Sequence, residues 1–327
     1  MSDDLTNAKL TTDPSVSVDR ANFVRAETDN YFKRFVGEGG LGKFVHNREL
    51  VDLDHQLVIR MNRDTIYSQT VLDLNAGPVT ITLPDTGGRF LSALVIDEDH
   101  YVIETFYDSA PHRFARGAVN TRYIAVLLRT FVDPSDPADL RKVHALQDAI
   151  TVEQPGGPGT FEVPDWEKAS LDATRAELCK AKVDLSNAFG KPDEVDPGAH
   201  LIATAMGWGG NPPRDAVYLM FEPAVNDGKT KYRLTVKDVP VDGFWSVTVY
   251  NKDGYFEKNP QNAYSINNVT AKRDADGSVS IQFGSCDGSV ANCLPITPGW
   301  GYSARLYRPR AEVLNGNWTF PEAKRVD

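Results

Sequence analysis

The chain has 327 residues, a formal net charge of −10 and a hydrophobic fraction of 41%. This composition excludes an intrinsically disordered protein, because it supplies enough apolar side chains for a core. The excess of acidic residues argues against DNA or RNA as the main partner, since surfaces that bind nucleic acids are basic. The length predicts about two domains.

The start of the chain and its longest apolar run bear on its location. Residues 1–6 are polar and acidic, and they lack the basic start and the apolar stretch of a secretory signal. Residues 123–128 form the longest apolar run, far below the roughly 18 residues that a membrane-spanning helix needs. The sequence therefore predicts a cytoplasmic protein without a membrane partner, and it leaves a homo-oligomer open.

The first part of the chain is predicted to be an arm, a helix and then strands. Residues 1–20 show no periodicity and are predicted to form a mobile arm. Apolar residues then recur every three or four positions, which predicts a helix over 18–36. This helix leads an N-terminal β-rich domain, assigned to residues 21–135. Strands are predicted within it at 57–61, 65–74, 79–83, 90–96, 101–107 and 122–129.

Residues 136–214 are predicted to form a helical connector. Asp136 is a helix N-cap by type and Pro137 suits the first helical position, so a helix is expected over 138–149. Asp165 is expected to cap a longer helix that ends near residue 183. Residues 190–214 are rich in glycine and proline and are predicted to be irregular.

The last part of the chain, residues 215–327, is predicted to be a jelly-roll-like domain. Strands are expected at 216–221, 231–236, 245–250, 279–283 and 302–307, with explicit turn sequences between them. The predicted fold class is mainly β with α, with two β-sandwich or jelly-roll-like domains joined by a helical segment. Cys286 and Cys293 bracket a turn-rich loop, and both a disulfide and two free thiols stay open.

Several motifs together resemble a known bacterial family. Residues 60–68 (RMNRDTIYS) and 84–89 (PDTGGR) resemble the domain of unknown function numbered 1254. Residues 243–250 (GFWSVTVY) and 305–307 (RLY) resemble the domain numbered 1214. The resemblance covers nearly the whole chain after about residue 20. It implies two β-rich domains, the second jelly-roll-like, joined by a helical segment, and it implies little about activity.

The first candidate site lies within residues 60–67. If a strand runs through it, Arg60, Asn62 and Asp64 share one face at a period of two. Such a set can bind a substrate carboxylate or hydroxyl by charge-assisted hydrogen bonds. Tyr67 joins them only if the chain bends over residues 62–64, whose types favour a turn. We expect Arg60, Asp64 and Tyr67 to converge between the two β domains, with Asp64 as acceptor or base and Tyr67 as donor. The alternative is a structural network that shapes the turn.

The second candidate is the acidic segment around His100. His100 can act as a general base that a nearby carboxylate orients. A divalent metal at Glu98 and His100 is a weaker alternative, because neighbouring strand residues point to opposite faces and a catalytic metal needs about three protein ligands. No metal site is therefore predicted, and a solvated acidic turn is the other interpretation.

The third candidate is a set of aromatic residues in the last domain. Trp245, Tyr250, Tyr255 and Tyr264 are candidate substrate-binding residues, because aromatic walls bind planar or sugar-like ligands. The alternative is that these rings form the core of the sandwich, which is the preferred interpretation for Phe244.

Two functional hypotheses follow, and both take a small molecule as partner. The sequence has no Gly-x-Ser-x-Gly elbow and no glycine-rich nucleotide loop, so no cofactor is predicted. The first hypothesis is an enzyme, with a hydrolase preferred, that uses Asp64, His100 and Tyr67. The second is a non-catalytic binding protein for a small organic or sugar-like ligand. A pocket that unites Asp64 with His100 would favour the enzyme.

Overall fold

The computed structural model describes residues 15–56 and 59–326. Its helices are α1 (Phe23–Gly37), α2 (Pro137–Asp148), α3 (Lys168–Leu178), α4 (Pro197–Gly207) and α5 (Ala311–Leu314). Its strands are β1 (Val45–His46), β2 (Thr65–Asp73), β3 (Val79–Thr82), β4 (Leu91–Asp97), β5 (Val102–Phe106), β6 (His112–Phe114), β7 (Tyr123–Phe131), β8 (Thr151–Glu153), β9 (Ala216–Phe221), β10 (Tyr232–Val236), β11 (Trp245–Tyr250), β12 (Ser265–Asn267), β13 (Val279–Phe283), β14 (Cys293–Leu294), β15 (Gly301–Tyr307) and β16 (Lys324–Arg325). The fold is mainly β with helices, as predicted.

The strands of the first domain form two antiparallel sheets that pack face to face. The larger sheet has the order β1-β2-β7-β4-β5, and the smaller has the order β6-β3-β8. Alternate side chains on one face of the larger sheet point at the smaller sheet, as the period of two requires. The core between the sheets includes Leu72, Val79, Ile81, Val95, Ile124 and Val126.

Helices cover the other face of the larger sheet. Phe32 and Phe35 of α1 pack on Val71 of β2 and Tyr123 of β7. A further cluster joins α1 to α3 and α4 and contains Phe23, Ala26, Leu171, Leu178 and Ile202. The connector is therefore a layer on the first domain, and its strand β8 pairs with β3.

An aspartate followed by a proline starts two of the helices. Asp136 accepts a hydrogen bond from the backbone N–H of Ala138, with Pro137 in the first turn, as predicted. Asp196 and Pro197 start α4 in the same way. The prediction of irregular structure over 190–214 was wrong here, because it gave the glycine and proline content more weight than this helix-start signal.

The helix predicted to begin at Asp165 begins at Lys168 instead. The carbonyl of Asp165 accepts a hydrogen bond of 2.7 Å from the backbone N–H of Val16, which holds the chain extended before the helix. Val18 is buried among the helices. The predicted mobile arm lies outside the described residues as far as residue 14, and residues 16–18 are anchored by these contacts.

The strands of the second domain form a sandwich of two four-stranded sheets. The sheet orders are β14-β13-β10-β16 and β12-β11-β15-β9. Side chains from both sheets share one core, which includes Leu234, Trp245, Val247, Ile281, Phe283, Trp300 and Leu306. Strands β9, β11 and β13 have the bounds that their alternating sequences predicted.

An aromatic cluster joins the two domains. The ring of Phe244 lies 5.1 Å from Phe90, 4.9 Å from Phe131 and 4.4 Å from Tyr307, measured between ring centroids. Phe90 and Phe131 belong to the first domain and the other two rings to the second. The cluster fixes β15 against the end of β7, and this contact shapes the candidate site.

Two further expectations concern redox state and membranes. Cys286 and Cys293 are joined by a disulfide, which decides between the two alternatives left open. Such bonds persist mainly in oxidising compartments and are rare in the cytosol. The disulfide therefore does not support the cytoplasmic location, which stays a prediction. Within residues 15–56 and 59–326, no helix combines the length and the apolar character that crossing a membrane requires.

Candidate functional site

A cavity of about 890 Å³ lies where the two domains meet. Strands β2 and β7 of the first domain and β9 and β15 of the second contribute to it, together with the segment from His46 to Asp52. Polar residues form what we call the cavity floor, namely Asn62, Tyr67, Arg129, Tyr218, Arg305 and Tyr307. Apolar residues form much of the wall, namely Leu50, Val51, Met61, Ile66 and Met220.

Strand alternation places the second domain's floor residues. Along β15, Ser303, Arg305 and Tyr307 line the cavity. The residues that alternate with them, Tyr302, Ala304 and Leu306, lie in the sandwich core. On β9, Tyr218 and Met220 line the cavity while Val217, Leu219 and Phe221 pack on the same core. One sheet thus supplies a core on one face and a cavity floor on the other.

The first domain contributes Tyr67 and Arg129, which are cross-strand partners on β2 and β7. The guanidinium of Arg129 lies 5.6 Å from the centroid of the Tyr67 ring. Arg129 follows Tyr123, Ala125 and Leu127 on the face of β7 that the helices cover. The helical layer ends at Gly209, and Arg129 therefore reaches the space between the domains.

Neutral oxygens hold the two arginines in place. Arg129 donates to the carbonyl of Gly209 at 2.7 Å and to Oδ1 of Asn211 at 3.3 Å. Gly209 has φ of +78°, and a Cβ there would lie 2.9 Å from a side-chain carbon of Leu127, so this position requires glycine. The geometry of this glycine turn is thus part of how Arg129 is held.

Arg305 is held in the same manner from the other domain. It donates to Oγ1 of Thr248 at 2.9 Å, to the carbonyl of Arg60 at 2.8 Å and to the hydroxyl of Tyr250 at 2.6 Å. None of these acceptors is a carboxylate. Both guanidinium groups are thus buried and fixed in direction before any ligand binds.

The hydroxyls of Tyr218 and Tyr307 act as acceptors within the protein. Asn211 donates to Tyr218 at 2.7 Å, and Asn62 donates to Tyr307 at 2.9 Å. Burial raises the pKa of Tyr218, and burial together with Tyr218 and Tyr67 raises the pKa of Tyr307 well above its usual range. Both groups stay protonated at neutral pH, and each hydroxyl keeps a proton to donate.

Charged and titratable groups also lie higher on the cavity wall. Nδ1 of His46 lies 2.7 Å from Oγ of Ser68, and burial followed by the nearby Arg48 lowers the pKa of His46. His55 pairs with Asp52 at 2.8 Å, and this exposed hydrogen bond raises the pKa of His55. The wall is therefore mixed in charge, whereas the floor carries only cations and neutral groups.

The structure separates the residues of the first predicted site. Arg60, Asn62 and Tyr67 all line the cavity. Residues 60–64 form no strand, because Oδ1 of Asn62 accepts from the backbone N–H of Asp64 at 2.8 Å and turns the chain. The expected bend is present, but the shared strand face is absent. The strand predicted at 57–61 was wrong for residues 59–61, where 59 and 60 form a turn; residues 57 and 58 lie outside the described residues.

Asp64 does not line the cavity. Its Oδ1 accepts from Oγ of Ser265 at 2.9 Å and from Nδ2 of Asn267 at 3.0 Å, and its side chain is fully buried. Within the described chain Asp64 forms no ion pair with Arg60. The carboxylate faces β12 instead, because the turn at residues 62–64 directs it away from the space between the domains.

His100 lies beneath α4, outside the cavity. Its Nε2 accepts from the backbone N–H of Gly209 at 2.8 Å, and its Nδ1 lies 2.8 Å from Oγ1 of Thr204. Burial and the neighbouring His200 lower its pKa well below the usual value. Both nitrogens are therefore occupied and the ring stays neutral. His100 reaches the cavity only indirectly, since it anchors Gly209 and the carbonyl of Gly209 binds Arg129.

The acidic residues beside His100 bind separate partners. Asp97 accepts from the backbone N–H groups of residues 99 and 101, Glu98 from that of Tyr123, and Asp99 pairs with Arg25. In the described part of the chain, no group of three His, Cys, Asp or Glu side chains is placed to hold a metal ion.

The four predicted aromatic residues do not face the cavity. Trp245 is in the sandwich core. Tyr250 lies behind Arg305, and Tyr264 packs on Phe256 with the Arg63 guanidinium 5.1 Å from its ring centroid. Tyr255 is half-buried beyond the cavity lining. Phe244 is a core residue, in agreement with the interpretation preferred for it.

Sequence reasoning missed the residues that face the cavity most directly. Arg129 interrupts the apolar run of β7, and a charge in a buried strand is a signal that was available. Arg305 and Tyr307 alternate with apolar residues on β15 in the same way. Two predicted residues bind the missed ones, since Asn62 donates to Tyr307 and the hydroxyl of Tyr250 accepts from Arg305.

Fold and site together define a two-domain β protein with a cavity between its domains. A family model described as "Protein of unknown function (DUF1254)" matches residues 41–113, and one described as "Protein of unknown function (DUF1214)" matches residues 222–311. The chain carries both of these domains, in the order that its motifs predicted. No curated protein matches the chain.

Two solved structures are similar to the chain. The VPA0106 protein from Vibrio parahaemolyticus has a TM-score of 0.70 at 19% identity, over 94% of this chain and 98% of that one. An uncharacterised protein from Burkholderia cenocepacia has a TM-score of 0.50 at 12% identity, over 94% of this chain and 88% of that one. At these identities the similarity shows a shared fold and carries no function across.

Proposed function

We propose that this protein is a non-catalytic binding protein for a small organic molecule that occupies the interdomain cavity. The observation that carries the proposal is the cavity itself. Its volume of about 890 Å³ falls within the range of small-molecule sites. Apolar walls around a few fixed polar groups are the usual composition of such sites.

The placement of the predicted catalytic residues favours binding over catalysis. Asp64 and His100 both lie outside the cavity lining, and each is engaged with partners elsewhere. A general acid or base must come within hydrogen-bond reach of the reacting group. Of the three residues predicted to be catalytic, Tyr67 alone faces the cavity. The hydrolase hypothesis thereby loses the pair on which it depended.

A neutral fluorescent probe tests this proposal. N-phenyl-1-naphthylamine has an apolar body and no charge, and we expect it to bind with a saturable rise in fluorescence at one site per chain. Met220→Trp places a large ring in the cavity and should weaken binding about tenfold or more. Met206→Trp is the matched control, because Met206 is exposed on α4.

The control variant should bind the probe as the wild type does. Absence of saturable binding to the wild type, both of this probe and of its sulfonated analogue 8-anilinonaphthalene-1-sulfonate, would contradict the proposal. Equal weakening by both tryptophan variants would do so as well, since it would show that the probe binds outside the cavity. Circular dichroism of both variants establishes that they are folded.

A further inference from the structure

We infer that the natural ligand is an organic anion, with an apolar body and one negatively charged head, and that its head lies between Arg129 and Arg305. This inference rests on the proposed function and names the class of ligand. Carboxylates and sulfonates share the chemistry that the floor would recognise.

Arg129 and Arg305 give the cavity floor its positive charge. Several other buried or half-buried arginines of this protein pair with carboxylates, such as Arg122 with Asp73 at 2.9 Å and Arg89 with Asp139. Among the described residues no carboxylate forms an ion pair with Arg129 or Arg305, whose partners are the neutral oxygens given above. Arg63 is likewise buried without an ion pair in the described chain and binds the carbonyl of Val51, but Arg129 and Arg305 are the buried arginines that line the cavity.

Leaving these buried charges unpaired is energetically costly. A buried guanidinium stays charged and is unfavourable without a counter-charge. Asp64 forms no ion pair with Arg305 and acts on it only at longer range; its Oδ1 binds β12, and its buried Oδ2 has no hydrogen-bond partner among the described residues. The open space beside both arginines is the cavity. An anion there would supply the missing charge, whereas a cation would face two like charges.

The tyrosine hydroxyls of the cavity floor remain available as hydrogen-bond donors. The hydroxyls of Tyr218 and Tyr307 accept from Asn211 and Asn62, so their own protons remain to be donated. The floor thus presents guanidinium N–H groups and phenolic O–H groups together. Charge-assisted hydrogen bonds from such donors favour the oxygens of an anionic head. A ligand head that only donates would find few acceptors among these groups.

The apolar residues of the cavity wall indicate the character of the rest of the ligand. Leu50, Val51, Ile66 and Met220 supply apolar surface above the floor. A free inorganic anion would leave this surface exposed to water, whereas an apolar body buries it. The cavity volume of about 890 Å³ also exceeds what a small inorganic ion fills.

Two probes with the same body test the inference. 8-Anilinonaphthalene-1-sulfonate differs from N-phenyl-1-naphthylamine by one sulfonate group. We expect the sulfonate to bind the wild type at least about tenfold more tightly than the neutral probe. Arg129→Met should remove most of that difference and leave the affinity for the neutral probe within about twofold. Arg113→Met, an exposed arginine on β6, should change neither affinity.

A second variant guards against misfolding of the first. Tyr218→Phe removes a single hydroxyl, and it should weaken the sulfonate severalfold with little effect on the neutral probe. Equal binding of the two probes by the wild type would overturn the inference while the proposed function stands. Parallel loss of both probes in folded variants would overturn it too. If neither probe binds the wild type, the proposed function itself fails.

Discussion

Two polar regions of this molecule differ in how their groups are paired. The first is the cavity floor, where Arg129 and Arg305 bind neutral oxygens and the phenolic protons of Tyr218 and Tyr307 point to no protein acceptor that the structure shows. It has more donors than acceptors, and it borders open space. The proposed ligand would supply the acceptors that this region lacks.

The second region lies beneath α4, around His100. His100 accepts from Gly209 and contacts Thr204, while both ring nitrogens of His200 lie 3.0 Å from backbone carbonyls. Asp99 pairs with Arg25 at 2.6 Å. Charges of both signs are present. Most of its polar groups are paired within the protein, and we call it the closed region.

The pairing of polar groups distinguishes a binding site from a structural network. Both regions contain the residue types that suggest chemistry, and the sequence alone ranked the region of His100 among the candidates. Pairing decides between them, because a group that already has its partners has nothing to offer a ligand. Breaking the closed region should therefore cost stability, whereas changing the open one should alter binding.

The largest expected effect is on stability, from His100→Asn. Asparagine tolerates the φ of +62° at this position as histidine does, so the backbone is not newly strained. The shorter side chain cannot serve both Gly209 and Thr204, and it leaves space between His200 and Trp208. We expect the free energy of unfolding to fall by about 3 kcal/mol, measured by urea denaturation.

His55→Asn is the matched control, because His55 is exposed and its pairing with Asp52 contributes little. We expect a change within about 0.5 kcal/mol for it. In folded His100→Asn protein the neutral probe should still bind. Full stability of His100→Asn would show that the region beneath α4 is not the closed structural network described here.

The next effect is a dependence on pH, from Asp29. Burial raises the pKa of Asp29 to about 7, although Trp166 donates a hydrogen bond of 2.8 Å to its Oδ2. Because the folded state holds this proton more tightly than the unfolded chain, the wild type loses stability as pH rises from about 4 through 7. Asp29→Asn removes this loss and keeps an acceptor for Trp166.

We therefore expect the variant to gain about 2 kcal/mol relative to the wild type between pH 5 and pH 8. Chemical denaturation at both pH values measures the difference, in which other groups such as Asp97 cancel. Asp184→Asn, at an exposed aspartate, should not reproduce the gain. A difference that stays constant with pH would show that Asp29 is ionised throughout.

Local sequence patterns predicted much of the fold. Strands β9, β11 and β13 were bounded correctly, because alternation and turn residues act over a few positions. Short strands such as β6 and β12 were missed, since three residues carry too little pattern. Helix α4 was missed although Asp196 and Pro197 mark its start.

The candidate site was predicted less completely, for a physical reason. Period two places Arg305 and Tyr307 on one face of β15, but which face meets the first domain depends on the docking of Phe244 against Phe90 and Phe131. That contact joins residues far apart in the chain. Asp64 was misplaced for a local reason, because the turn at residues 62–64 replaced the expected strand.

The smallest expected effect comes from Asp64→Asn, and its sign distinguishes two roles. Asp64 does not line the cavity, yet its negative charge acts on Arg305 at longer range. The variant keeps Oδ1 for Ser265 and Asn267 with weaker bonds, so we expect a loss of about 1 kcal/mol in stability. Removing the negative charge leaves Arg305 less compensated, so binding of the anilinonaphthalene sulfonate should stay unchanged or strengthen by at most about threefold. Asp242→Asn, at an exposed ion pair, should leave both properties unchanged. A tenfold fall in sulfonate affinity at unchanged stability would instead place Asp64 among the ligand-binding residues, as the strand pattern first predicted.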